Sequence, residues 1–330
     1  MTGWHLTGRQ TQLPHPSHPD EGHTGAVYAL KLHNSYLVSG SADTTLRIWH
    51  ADSQRLVRGP LRGHESSVIC LDFDDSPDQD VIISGSTDKS IIIWQFSTGN
   101  AITRLQNAHE SSILSLAFDH RLLVTGGKDA AVKLWNRHSI ALPGVADLPA
   151  WTYAQTDGPV LPYQPLATLG QPTAAVTSVL LDRDFVITGS GDRSVEIWDL
   201  QTGQLTRKFL QAGGIADLLY DGCCIVSASS DNTCRIYNTQ TETEVCLRGH
   251  TNLVRSVRLV PGQRSVLGGV VTASYDGTIR HWELDGDWVC RSVLETGSAD
   301  ERIFEIALDR KRVAAAGSGP VIKMWRLHKE

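Results

Sequence analysis

The sequence predicts an all-β fold, a single seven-bladed β-propeller over residues 1–330. Two observations carry this. A segment of about a dozen residues recurs seven times and ends each time on an aromatic: Trp49, Trp94, Trp135, Trp198, Tyr237, Trp282 and Trp325. The intervals between those aromatics are 45, 41, 63, 39, 45 and 43 residues, which match the propeller period of roughly 40–45 except at one insertion.

Each repeat reads as four strands. VSGSADTTLRIW, ending at Trp49, and ISGSTDKSIIIW, ending at Trp94, are two apolar runs around a short Asp-containing turn, the pattern of a half-buried hairpin. A third run precedes the hairpin, as in VYALKL from Val27, VICLDF from Val68 and VRSVRL from Val254. A fourth lies before a Gly-His pair such as Gly22-His23, Gly63-His64 or Gly249-His250. Four strands make one blade, and radial packing leaves only short, protected edges.

The two ends should close the ring. After Trp325 only residues 326–330 remain, too few for the outer strand of blade 7, so residues 1–13, and within them 4–13, are expected to supply it. The 63-residue interval should place an insertion at 138–165, between the third and fourth strands of blade 3. It carries Trp151, Tyr153, Leu161 and Tyr163 among five prolines and reads as a packed flap, a partner-docking segment or a disordered insertion.

Composition excludes several classes. With 41% hydrophobic and 20% charged residues and a net charge of −6, the chain reads as an ordinary globular protein without a nucleic-acid footprint. It begins with no apolar signal core, and no apolar stretch approaches the ~20 residues of a membrane helix. The expected setting is the cytoplasm or nucleus. Its six cysteines contain no CxxC pair and read as reduced core thiols; Cys223 and Cys224, neighbours in a strand, should point to opposite faces, be unable to form a redox pair without distortion, and fill space. His15, His18 and His23 lie in a proline-rich segment that reads as loop, so no metal or other cofactor is expected.

Four blades fill a recurring set of polar positions: His23, Ser39, Asp43 and Trp49; His64, Ser84, Asp88 and Trp94; His109, Thr125, Asp129 and Trp135; His250, Thr272, Asp276 and Trp282. A hydroxyl, a histidine and an aspartate invite a hydrolase reading, but an active site has no reason to recur in every repeat. A buried structural network is expected instead, and no enzyme motif is present.

These residues identify the chain as a member of the WD40 repeat family over essentially its whole length. In that family the tetrad is a buried network that locks each blade, and the residues around the start of each first strand face the top rim of the channel. The resemblance thus points to Tyr28, Lys128, Leu253, Arg255, Tyr275, Arg302 and Phe304 as a peptide-binding set, concentrated in blades 6, 7 and 1.

More narrowly, LPHPSHPDEGHTGAVYAL before blade 1, the N-terminal closure, and the arginine–aromatic pairs of blades 6 and 7 resemble the propellers of F-box/WD40 substrate receptors. That resemblance implies a top face gripping an acidic or phosphorylated peptide for a cullin–RING ubiquitin ligase, with ligase components as further partners. No F-box lies within these residues, so either an F-box region upstream of this sequence is missing from it or the protein recognises a partner without recruiting a ligase; Ile69, Thr87 and Gly191 stand where such receptors carry arginines. The alternative is a general scaffold within a multiprotein complex.

Overall fold

The computed structural model describes residues 4–5, 10–138, 151, 161–170, 172–260, 266–297, 301–326 and 328–329. Seven four-stranded antiparallel sheets form the blades. Blade 1 consists of Val27–His33, Tyr36–Ser41, Leu46–His50 and Arg55–Leu56. We label the four strands of each blade a to d, from the channel outward. The innermost strand of each blade packs on that of the next, and Ile303–Leu308 of blade 7 packs back on Val27–His33 of blade 1. The ring is therefore closed.

The core sits between blades. Among the described residues there are seven apolar clusters, one for each pair of neighbouring blades. Small residues on strand b permit the close approach. A Cβ added at Gly126 would lie 2.6 Å from Val176 of blade 4, and one at Gly189 would lie 2.5 Å from Ile215 of blade 5.

Ring closure uses both chain ends. Gln10–Leu13 pairs antiparallel with Ile322–Arg326 as the outer strand of blade 7. Leu13 is fully buried in the cluster between blades 7 and 1, with Val27, Trp49, Ile322 and Met324. A separate two-stranded ladder joins Trp4–His5 to His328–Lys329. Residues 6–9 lie outside the described residues.

In blade 3, strand c (Val132–Asn136) pairs with strand d (Pro165–Leu169), so the insertion joins these two strands. The Trp151 indole N–H donates to the Leu200 carbonyl of blade 4 (2.8 Å), and the ring packs on the cluster between blades 3 and 4. Tyr163 packs on the cluster between blades 2 and 3, whereas Leu161 is exposed. Trp151 and Tyr163 thus pack on the body, as a packed flap would; Tyr153 lies outside the described residues.

One expectation from strand alternation needs correction. Cys223 and Cys224 do not point apart: their sulfurs lie 3.4 Å from each other. Alternation holds only within a strand, and the strand begins at Cys224, with Cys223 still in the preceding turn.

Candidate functional site

Antiparallel order sets the geometry of the two faces. The b–c turns and the d-to-a connections lie together on one face, called the top, and the a–b and c–d turns lie on the other. The tetrads stand at the top end of blades 1, 2, 3 and 6, beneath the b–c turn.

In blade 1, His23 Nδ1 lies 2.9 Å from Asp43 Oδ2 and His23 Nε2 lies 2.8 Å from Ser39 Oγ, while the Trp49 indole N–H donates to that same hydroxyl at 2.9 Å. Blade 2 repeats this with His64–Asp88 at 3.0 Å, His64–Ser84 at 2.8 Å and Trp94–Ser84 at 2.9 Å. Blade 3 has His109–Asp129 at 3.0 Å, His109–Thr125 at 2.8 Å and Trp135–Thr125 at 2.9 Å. Blade 6 has His250–Asp276 at 2.9 Å, His250–Thr272 at 2.8 Å and Trp282–Thr272 at 2.9 Å.

An ionised aspartate can only accept, so Nδ1 carries the proton, Nε2 accepts from the hydroxyl, and the hydroxyl accepts from the indole. Every partner is used. The four hydroxyls are buried and capped by an indole, which leaves no room for a carbonyl under attack or for an oxyanion hole. Burial alone would raise the carboxyls of Asp43, Asp88 and Asp276. Hydrogen bonds from the partner histidine, from a turn hydroxyl and from the backbone N–H of Thr24, Glu65 or Thr251 outweigh it and hold all three well below the usual carboxylate range.

The remaining blades depart from this pattern. In blade 5 the amide of Gln211 donates to Ser227 Oγ (2.6 Å) from the place a histidine would take. Strand-a spacing could have revealed it, because Gln211 precedes Ile215 by the same four residues that separate His23 from Val27. In blade 4 the Trp198 indole N–H has no hydrogen-bond partner among the described residues. Blade 7 carries Gly319 where the turn aspartate would stand.

Four of the rim residues form one continuous group. Tyr28 of blade 1 stacks on Phe304 of blade 7, with ring centroids 5.2 Å apart and planes 21° from parallel. Tyr275 of blade 6 meets Phe304 edge-on at 5.5 Å. The Arg302 guanidinium lies 5.6 Å over the Tyr275 ring, within cation–π range, and its side chain is exposed. The Leu253 carbonyl accepts the Tyr275 N–H (2.9 Å), fixing the turn that presents the ring.

Arg255 and Lys128 lie elsewhere. Arg255 lines the central channel and donates to the Ala216 carbonyl of blade 5 at 2.9 Å. Lys128 is exposed on blade 3, which is not a neighbour of blades 6, 7 or 1 in the ring. The channel encloses a cavity of about 90 Å³. Within it the Arg258 guanidinium bonds Asp217 (2.7 Å) and Glu305. Burial disfavours the Arg258 charge, but the two carboxylates more than restore it.

Comparisons with known proteins agree with the fold. The family model for the WD domain, G-beta repeat, matches residues 15–50, 55–95, 100–136, 163–199, 204–238 and 241–283. The chain is 29% identical over 181 residues to mitochondrial division protein 1 of Saccharomyces cerevisiae, covering 53% of this chain and 21% of that protein. It is 25% identical over 187 residues to WD repeat-containing protein pop2 of Schizosaccharomyces pombe, covering 56% and 22%. It is 23% identical over 229 residues to ribosome biogenesis protein YTM1 of Meyerozyma guilliermondii, covering 62% and 48%. The chain thus spans less than half the length of these relatives. The crystal structure of the computationally designed Ika8 protein superposes with a TM-score of 0.69 at 25% identity, covering 97% of this chain and all of that one. With six repeats matched by the family model on a closed ring of seven blades, this chain belongs to the WD40 repeat family.

Proposed function

We propose that the chain is a non-catalytic protein-interaction module, and that the sector of its top face formed by blades 6, 7 and 1 receives a short acidic or phosphorylated peptide. One observation carries this reading: Arg302, Tyr275, Phe304 and Tyr28 form an unbroken cation–aromatic surface across three blades. Arginine with aromatics is the composition of binding hot spots, and its planar fork matches carboxylate or phosphate. The complete tetrads of blades 1 and 6 lie beneath the flanks of this surface and serve to hold their top turns.

Arg302 would take the anionic group, with Arg255 supplying positive charge from the channel. The overall charge of −6 opposes an acidic ligand at long range, so local clustering must dominate at contact. The setting proposed is the cytoplasm or nucleus. The narrower role, delivery of the bound protein to a ubiquitin ligase, gains no support from the relatives above; it requires co-purification with ligase components. A phosphopeptide library screened against the wild type and the Arg255→Ala, Arg302→Ala double variant tests the proposal. Enrichment of acidic or phosphorylated peptides by the wild type alone supports it. No such preference favours the general scaffold.

A further inference from the structure

On the face opposite the Arg302 surface, the a–b turn of blade 5 brings two thiols together. Asp221 Oδ1 accepts the backbone N–H of both Cys223 (3.0 Å) and Cys224 (2.7 Å), and Oδ2 accepts the N–H of Val266 in blade 6 (2.5 Å). Gly222, at φ 97°, supplies the left-handed residue the reversal needs. The Thr239 N–H and hydroxyl both donate to the Cys223 carbonyl at 2.8 Å, pinning the turn from its far side. The result is a Sγ–Sγ separation of 3.4 Å, van der Waals contact.

The Asp221, Cys223 and Cys224 donor atoms all lie within 4.8 Å of one another, which raises the question of a metal. The Asp221 carboxylate, however, already accepts three backbone N–H groups. Two sulfurs alone fall short of the four ligands of a structural zinc site. What remains is a dithiol, half-buried at Cys223 and buried at Cys224, beside a Gly222 position open to solvent.

We propose that Cys223 and Cys224 form a modification site, a dithiol that a hydroperoxide oxidises to a vicinal disulfide and that small thiols reduce again. The Cys223 thiolate attacks the peroxide oxygen, the O–O bond breaks, and Cys223 becomes a sulfenic acid. The Cys224 sulfur then attacks the Cys223 sulfur; the S–O bond breaks, the S–S bond forms, and the departing hydroxide takes the Cys224 proton as water. The two thiols lose two electrons and two protons, and hydrogen peroxide leaves as two waters.

Cys223 acts first because it is the more exposed, while burial holds the Cys224, Cys70 and Cys234 thiols protonated. Adjacent Cα atoms lie about 3.8 Å apart, closer than the roughly 4.4 Å lower bound of ordinary disulfides, so the ring is strained and readily reduced. The resting state in a reducing compartment is therefore the dithiol.

The test treats the whole chain with a small excess of hydrogen peroxide, alkylates the remaining thiols and reads intact and peptide masses. The expected result is a loss of about 2 Da, mapped to a Cys223–Cys224 ring and reversed by dithiothreitol. Cys223→Ser and Cys224→Ser should each abolish that loss while retaining the wild-type circular dichroism. A lasting gain of about 32 Da at Cys223 with Cys224 still open to alkylation would overturn the proposal, as would a loss mapped to Cys234 and Cys246.

Discussion

Blades 1, 2, 3 and 6 carry the whole His–Ser/Thr–Asp–Trp network, whereas blades 4, 5 and 7 hold it only in part, yet all seven build the same four-stranded sheet. The network is therefore not what makes a blade. Interblade clusters of apolar side chains do that in every sector. The network adds rigidity at the top end of four blades, and blade 5 reaches a shorter version with Gln211 and Ser227.

The largest effect should come from a change that ignores the networks altogether. Deleting residues 1–13 removes the outer strand of blade 7 and the fully buried Leu13, whose burial alone contributes about 1.5–3 kcal/mol. The truncated chain should lose cooperative unfolding or fail to express in soluble form. A truncated protein with the wild-type melting temperature would show that ring closure does not depend on this strand.

Next in size is a direct comparison of complete and partial blades. His64→Ala removes one hydrogen bond each from the buried Ser84 and the half-buried Asp88 and should cost about 1–3 kcal/mol in urea unfolding. Gln211→Ala removes one bond in blade 5 and should cost about 0.5–1.5 kcal/mol. Equal costs would erase the distinction drawn between the two sets of blades.

Acid should act on the complete blades. Burial depresses the pKa of His23, His109 and His250 despite their aspartate partners, so the folded state keeps them neutral. That stabilisation is whole above about pH 6.5, the unfolded value, and falls as pH drops through the folded values. The aspartates are depressed too, so their share is whole above about pH 4 and lost below it. The melting temperature should hold near neutrality, decline below about pH 6.5 and fall more steeply below about pH 4. A melting temperature that rises between pH 7 and pH 5 would contradict this assignment.

Much of this was legible in the residues. The spacing of Trp49, Trp94 and their counterparts defines the blade count, and the recurrence of His, Ser or Thr and Asp marks the tetrads as structural. What escaped was whatever depends on local backbone or on packing between distant segments. Gln211 performs a histidine's task through a different functional group. Strand alternation misplaced Cys223 because a turn bond to Asp221 governs it. Composition left Trp151 between a packed flap and a docking segment, and its bond to Leu200 shows that this ring is an anchor. Arg255 and Arg302 look alike along the chain, but one lines the channel and the other lies over Tyr275 on the rim.

In the function proposed, the Arg302 surface reads an anionic group. A double-mutant cycle measures it directly: titrate the best library peptide, phosphorylated and unphosphorylated, into the wild type and Arg302→Ala. A charge-assisted contact contributes about 1.5–3 kcal/mol, so the variant should lose about tenfold or more in affinity for the phosphorylated form and little for the other. Losses of equal size for both forms, or none for either, would contradict the account.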